Sequence, residues 1–494
     1  MILARKDKCT ARKEKKIILY WSIFELYLII YEELMIQKNN SAAKIRTIMT
    51  GLMLSLLLAA LDNTIVATAM PKIINDLQGM KFYSLPFTSY LLFSTVVIPV
   101  AGKLSDVYGR KIVVLWGMIL FLITSILCAF SMNMSMLIVF RGFQGACGGV
   151  LASSAFIITS ELFPPEDRGK YIGILASMHG LASLLGPITG GLITDYLSWR
   201  WIFFINIPIG LISFQMMKKN LPEMKHSANE RKLDLKGISL FLLTMFPLLF
   251  CFTEFGKLLT WKSPLLYILF STSFFMFFWF VLTEKKSHSP LIPSRLISNN
   301  IFRKSAFAAF MLYFALFGII LYVPFLMQVL LKKSAAFSGI MMLPMTLSMV
   351  IGGMVGGFLT SKLQKFKILG ILGFFLAITG MVAIYMFGTQ ISSMFLIFSL
   401  LLIGLGLGSV FPIINIAPQS VFPASELGMV ISNLEFFQIM GGVISTSILG
   451  NILQISVMSV IGISILALFM GVISIALLNE KTIKEGFAKN SSGL

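Results

Sequence analysis

Charge is scarce in this chain: 12% of its 494 residues are Asp, Glu, Lys or Arg, 21 of them acidic against 40 basic. Cysteine and histidine are scarcer, at four and three residues. Cys9, Cys128, Cys147 and Cys251 show no CxxC or Cys/His ligand spacing, so neither a disulfide framework nor a metal site organises the chain. No HExxH, GxSxG or GxxxxGK[ST] run occurs. Enzymatic chemistry, ATP hydrolysis and a resident cofactor are therefore not expected. A net charge of +19 can suit nucleic acid, but nothing here forms a basic groove interleaved with exposed aromatics.

What is present is apolar. Hydrophobic residues make up 57% of the chain and the mean hydropathy is +0.89, far outside the range of soluble domains. Apolar segments of spanning length recur at 47–70, 86–103, 112–131, 134–159, 170–194, 200–217, 236–256, 264–283, 302–328, 336–361, 368–388, 392–415, 427–450 and 458–478. Each meets the requirement of about 20 residues for a membrane crossing. With both termini cytoplasmic, 32 of the 40 Lys/Arg fall on the inner side. The outer loops hold Lys72, Lys81, Arg200, Lys257, Lys262, Lys332 and Lys333, and Arg141 lies within a span. This asymmetry supports both the count of fourteen helices and their orientation, and a plasma-membrane location is expected.

Residues 1–45 stand apart as an N-terminal cytoplasmic extension. The basic run Lys13 to Lys16 precedes an apolar stretch interrupted by Glu25, Glu32 and Glu33, too short to span. Two readings remain open: an amphipathic interfacial helix, or upstream sequence ahead of a start at Met35. The expected divisions that follow are a six-helix bundle over 46–217, an inserted helix pair with flanking loops over 218–301, a second bundle over 302–478 and a tail over 479–494.

A weak repeat underlies the two bundles. Offset by 255, Gly102-Lys-Leu-Ser-Asp-Val-Tyr-Gly-Arg lies over Gly357-Phe-Leu-Thr-Ser-Lys-Leu-Gln-Lys, keeping the first glycine, the leucine, the hydroxyl and the final basic residue. The second copy lacks the acid and the second glycine. Parallel repeats about an axis along the membrane normal are a transporter architecture, with the substrate site between them near mid-membrane.

Four motifs carry candidate chemistry. In the first span, Asp62 within Leu61-Asp-Asn-Thr-Ile-Val66 is a carboxylate whose burial costs several kcal/mol. Counting to Met70-Pro71 places it about eight residues, ~12 Å, below the outer end. Arg141 of the fourth span, in Arg141-Gly-Phe-Gln-Gly-Ala-Cys-Gly-Gly149, lies at a similar depth, about seven residues or ~10 Å in. Such a pair can tune a proton, or it can be an ion pair that only locks two helices. Gln144 and Gly145 share the arginine's face. Between the second and third spans, Gly102 to Lys111 sets Lys103, Asp106, Arg110 and Lys111 in a charged hairpin bounded by Gly102 and Gly109. The fifth span carries Gly186-Pro187 and Gly190-Gly191 on a small-residue face suited to close packing. His179 before it is expected to be packed and neutral rather than a proton relay.

In order and spacing, these motifs together with Trp199-Arg-Trp-Ile-Phe-Phe-Ile-Asn-Ile-Pro-Ile-Gly210 resemble the fourteen-helix drug/proton antiporters of the major facilitator superfamily. The resemblance covers residues 47 to about 478. It implies an all-α polytopic membrane protein of the major facilitator fold, two six-helix bundles plus an inserted pair. It further implies export of small hydrophobic or amphipathic, often cationic molecules in exchange for protons. Carried over by residue, Asp62 and Arg141 would couple the proton, and Gly102, Asp106, Gly109 and Arg110 would form a cytoplasmic latch. Gly186, Pro187, Gly190 and Gly191 would form the antiporter helix. In the second half, Glu435 and Gln438, with Gln144 opposite, are candidates for a substrate cavity, although an acid at Glu435 can equally reach the cytoplasmic surface. Glu254 is expected at the membrane interface. A monomer whose partners are the bilayer, protons and a small molecule fits the whole. An exporter of one endogenous metabolite, or a sensor or lipid-handling protein that does not transport, are the competing readings.

Overall fold

A computed structural model describes residues 39–79, 82, 85–223, 233–254, 259, 262–287, 289–332, 335–363, 365–387, 392–423, 426–453 and 456–491. The N-terminal run, including Met35 and Cys9, and part of the loop that leads into the inserted pair lie outside them. Among the described residues the chain is helical, without a β-strand. We number the long helices α1 (Asn39–Leu77), α2 (Leu85–Tyr108), α3 (Arg110–Ala129), α4 (Met134–Leu162), α5 (Pro165–Tyr196) and α6 (Trp201–Asn220, with a break at Ile205). There follow α7 (Leu235–Glu254), α8 (Pro264–Lys286), α9 (Asn300–Phe325), α10 (Ala335–Leu363), α11 (Phe366–Phe387), α12 (Ser393–Val421), α13 (Leu427–Leu453), α14 (Val457–Ala476) and a polar α15 (Glu480–Ser491). Thirteen of them are, among the described residues, long and apolar enough to cross a membrane. The 32-residue α5 stands where the fifth span was expected.

Local chemistry sets many of the helix ends. Asn133, Asn299, Ser392 and Ser456 each cap a helix by accepting from a backbone N–H of its first turn. The charged hairpin turns out to be shorter than expected. Instead of a ten-residue loop, α2 runs on to Tyr108 and α3 begins at Arg110, so Gly109 alone makes the turn. Its φ of 96° is a conformation only glycine adopts without strain.

The packing repeats. α1 packs against α4, α5 and α6, α2 against α4, and α3 against α4 and α6. The same list recurs among α9 to α14, each helix replaced by the one eight places on. The contacts repeat too, with the offset of 255 kept on α2 and α10 and an offset of 259 on α4 and α12. Gly145 and Gly149 of α4 meet the backbone of Tyr90 and Ser94, and Gly404 and Gly408 of α12 meet that of Met345 and Met349. Tyr90 and Ser94 lie 255 residues before Met345 and Met349. Small residues supply this contact because lipid offers helices no hydrophobic drive to associate. The halves cross at two seams, α2 with α13 and α5 with α10. The inserted α7 lies on α2 and α13 together, while α8 packs chiefly on α7.

Candidate functional site

The core of the N-terminal half holds a fully enclosed polar cluster. Asp62 of α1 is 1% exposed and Arg141 of α4 is 0% exposed. Arg141 Nη1 donates to Asp62 Oδ2 and, at 2.9 Å, to Gln144 Oε1. Gln144 Nε2 donates to Asp62 Oδ1 at 3.0 Å, and Asn206 Nδ2 of α6 donates to the same oxygen at 2.7 Å. The second proton of that amide goes to Ser125 Oγ of α3 at 2.9 Å, and Ser125 donates onward to Phe203 O. The Arg141 guanidinium stacks on the Tyr90 ring, 4.4 Å from its centroid, and the Tyr90 hydroxyl donates to Ala59 O.

One cation and one anion thus neutralise each other in a site closed to the surface, and each carboxylate oxygen is satisfied by neutral or charged donors. Removing either charge would leave the other buried and unpaired, at a cost of about 3–5 kcal/mol. Asp62 and Arg141 meet directly, although the count of residues to the helix end differs from expectation. α1 does not stop at Pro71 but continues to Leu77. The projecting turn holds Asp76, which accepts from the buried Trp199 indole at 2.8 Å. Arg200 stacks on Trp199 and donates to Ser131 O, so the Trp199-Arg200 pair ties α1 to the α3–α4 turn.

Gln144, a cavity candidate on sequence, belongs to the Asp62 cluster. Glu435 and Gln438 lie apart from it in α13. Glu435 is 6% exposed and its Oε2 has no hydrogen-bond partner, and Gln438 Nε2 donates to Asn415 Oδ1 at 3.3 Å. Phe156 of α4, Phe411 of α12 and Tyr313 of α9 form an aromatic chain from one half to the other, with centroids 6.1 and 6.4 Å apart.

The second cluster lies at the Gly109 face. Arg110, 1% exposed, has Nη2 2.5 Å from Asp106 Oδ1 and 2.7 Å from Glu161 Oε1, and its Nη1 donates to Ser105 Oγ at 2.5 Å. Glu161 is the last-turn acid of α4. A β-carbon built on Gly428, at the start of α13, would stand 2.5 Å from Arg110 Nη2, so this ion cluster abuts the opposite half. Gly102 packs on Ser432, where an added β-carbon would meet Ser432 Cβ at 2.6 Å. Its repeat counterpart Gly357 packs on Gly169 of α5, 2.5 Å from that carbonyl carbon in the same construction. Both seams are closed at this face. A strap bridges the first of them: Lys103 Nζ donates to Pro290 O at 3.3 Å and Asn433 Nδ2 to Leu291 O at 3.4 Å. Glu284 holds the strap by accepting from the Leu291 and Ile292 N–H groups, both at 3.0 Å.

On α5, Gly186 packs on Thr64, with an added β-carbon 2.5 Å from Thr64 Cβ, and Gly190 lies against the Ile65 backbone. Thr64 Oγ1 donates to Ala182 O at 3.0 Å. This glycine face therefore seats on α1 beside Asp62; Gly191 has open space around it, and the Pro187 ring lies outside the described side chains. One expectation is corrected: Glu254 is fully buried, accepting from Thr88 Oγ1 at 2.6 Å, rather than interfacial. His179 keeps accessible surface on α5.

Sequence reasoning missed Asn206, Glu161, Ser125 and Asp76. Asn206 carried a signal: it is a lone amide in the apolar run Ile202 to Ile212. Glu161 gave a weaker one, because an acid at a helix end reads as ordinary surface.

Residues 52–446 match the model of the Major Facilitator Superfamily. The chain is 36% identical over 417 residues to "Multidrug transporter protein MdtP" of Bacillus subtilis (strain 168), covering 84% of this chain and 77% of that one. It is 34% identical over 417 residues to "Multidrug resistance protein 3" of the same organism, covering 83% and 80%. Among solved structures, it is similar in fold to the human organic anion transporter MFSD10, with TM-score 0.66, 16% identity, and coverage of 88% and 100%. The proton:xylose symporter XylE is similar in fold at TM-score 0.62 and 15% identity, with coverage of 88% and 95%.

Proposed function

This chain belongs to the Major Facilitator Superfamily, a multi-pass membrane transporter, and from that premise we propose that it exports small hydrophobic or amphipathic, often cationic compounds in exchange for protons. The observation that carries this reading is the Asp62 carboxylate, buried and held by Arg141, Gln144 and Asn206. A carboxylate sequestered from water and coupled to four helices is a group whose protonation redistributes hydrogen bonds through the whole half. The relatives named as multidrug transporters support the substrate class.

In this reading the Gly109 face is cytoplasmic, both termini lie on that side, and the membrane is the plasma membrane. Asp106, Arg110 and Gly102, with Glu161 added, form the latch that holds the cytoplasmic side closed; Gly109 supplies the turn that presents Arg110. The α5 glycines keep that helix against α1 and limit leak beside Asp62. Glu435, with Gln438 and the aromatic chain through Phe411, offers a substrate an unpaired carboxylate and apolar walls. Gln144 serves the proton site rather than the cavity. In this reading the protein works as a monomer, because one chain supplies every residue of both sites.

The test is efflux of tetraphenylphosphonium from proteoliposomes driven by an imposed pH gradient. Asp62→Asn is expected to abolish gradient-driven efflux while the protein remains folded and monodisperse. Full transport by that variant would refute the assignment.

A further inference from the structure

Resting on the reading that Asp62 takes up a proton, we propose that Asn206 is the amide that follows that proton, donating to Asp62 when it is ionised and turning to accept from it when it is protonated. In the structure Asp62 accepts three hydrogen bonds, from Arg141, Gln144 and Asn206. That is the pattern of an ionised carboxylate, which has no proton to give. A protonated Asp62 needs the opposite, an acceptor for its O–H.

The neighbours can be taken helix by helix. From α4, Arg141 has only donors, and the Gln144 carbonyl is occupied by Arg141 Nη1 at 2.9 Å and by the Cys128 thiol of α3 at 3.4 Å. Gln144 cannot turn without abandoning both. From α2, Tyr90 gives its ring to Arg141 and its hydroxyl to Ala59 O. From α3, Ser125 is not bonded to Asp62. From α6, Asn206 alone touches an Asp62 oxygen while its own carbonyl Oδ1 is buried without a hydrogen-bond partner.

The turn needs only one torsion and one hydroxyl to move. The amide rotates about its terminal torsion, which is broad and roughly two-fold, exchanging Nδ2 for Oδ1 at the 2.7 Å contact. Ser125, which now accepts from Nδ2 and donates to Phe203 O, can rotate to donate to the carbonyl instead, giving up Phe203 O as it does so. Proton uptake at α1 is thereby passed as a reversal of hydrogen-bond polarity to α6 and α3, with no charge moved beyond Asp62. Asn206 is a positioning residue in this scheme, acting through Asp62.

The experiment is infrared difference spectroscopy, acidic minus neutral, on the purified full-length protein in proteoliposomes, with no transport substrate present. The carboxylic-acid C=O band of Asp62 is identified by its loss in Asp62→Asn. In Asn206→Leu, an isosteric side chain without donor or acceptor, that band is expected to move to higher wavenumber, because the acid O–H has lost its acceptor. In Asn206→Ser, whose hydroxyl can both give and accept, it is expected to return toward the wild-type position. An Asp62 band at the wild-type position in folded Asn206→Leu overturns the proposal and leaves proton uptake at Asp62 intact. If the wild-type protein shows no Asp62-dependent acid band, the proton reading itself is overturned and this inference with it.

Discussion

Gly428 is the position from which the latch can be opened with the smallest change. A β-carbon there would stand 2.5 Å from Arg110 Nη2 and 2.8 Å from Nη1. The end of an arginine would ordinarily swing aside, but this one is 1% exposed and held by Asp106, Glu161 and Ser105. To reach an ordinary carbon contact the guanidinium must withdraw by roughly 1 Å, which removes at least one charge-assisted hydrogen bond. Such a bond contributes about 1.5–3 kcal/mol, so Gly428→Ala should shift the balance away from the state closed at this face by roughly 10- to 150-fold. The assay is a pair of spin labels at Tyr108→Cys and Arg303→Cys, both exposed and on opposite halves, in a Cys9→Ser background. The native Cys128, Cys147 and Cys251 are buried and stay unlabelled. The ratio of longer to shorter inter-label distance should rise by that factor in Gly428→Ala. If the distance distribution matches that of the parent, the latch does not hold the seam and the reasoning fails.

Two further outcomes follow from the same geometry. Arg141→Met should lower unfolding stability in detergent by about 3–5 kcal/mol, whereas Asp62→Asn combined with Arg141→Met should lose clearly less than the two single losses together; additive losses would show that the pair is not coupled. Glu284→Ala removes the acceptor of the Leu291 and Ile292 amides, so their hydrogen exchange should quicken by about tenfold, and unchanged exchange would mean that the strap is held otherwise.

How much of this could be read from residues depends on what each signal needed. Spans were readable because twenty apolar residues have few other uses, and thirteen of the fourteen expected segments recur as helices able to cross. The repeat was visible in a nine-residue alignment because Gly102 and Gly357 face the same steric demand at equivalent seams. Asp62 and Arg141 stood out because buried charge is rare. Their partners were harder to see. Asn206 bears no charge, and its role depends on a fold that brings α6 beside α1. The helix ends failed for a related reason: Pro71 reads as a stop because it removes a backbone donor, yet α1 runs past it to Leu77, where Asp76 accepts from Trp199. Glu254 looked interfacial by position, but Thr88 supplies the partner that lets it be buried.

The placement of α7 makes a duplicated body one-sided. Its Phe246 packs edge-on against Phe93 of α2, its Phe241 against Phe436 of α13, and Ser447 of α13 donates to its Phe252 carbonyl. One of two equivalent flanks is thus roofed by protein, and beyond it α8 turns Phe274, Phe275, Phe278 and Trp279 outward. Among the described residues, the α2–α13 seam is therefore covered by a helix on its lipid side, whereas no such inserted helix packs over the α5–α10 seam. The two flanks present different surfaces to the bilayer although the bodies beneath them repeat.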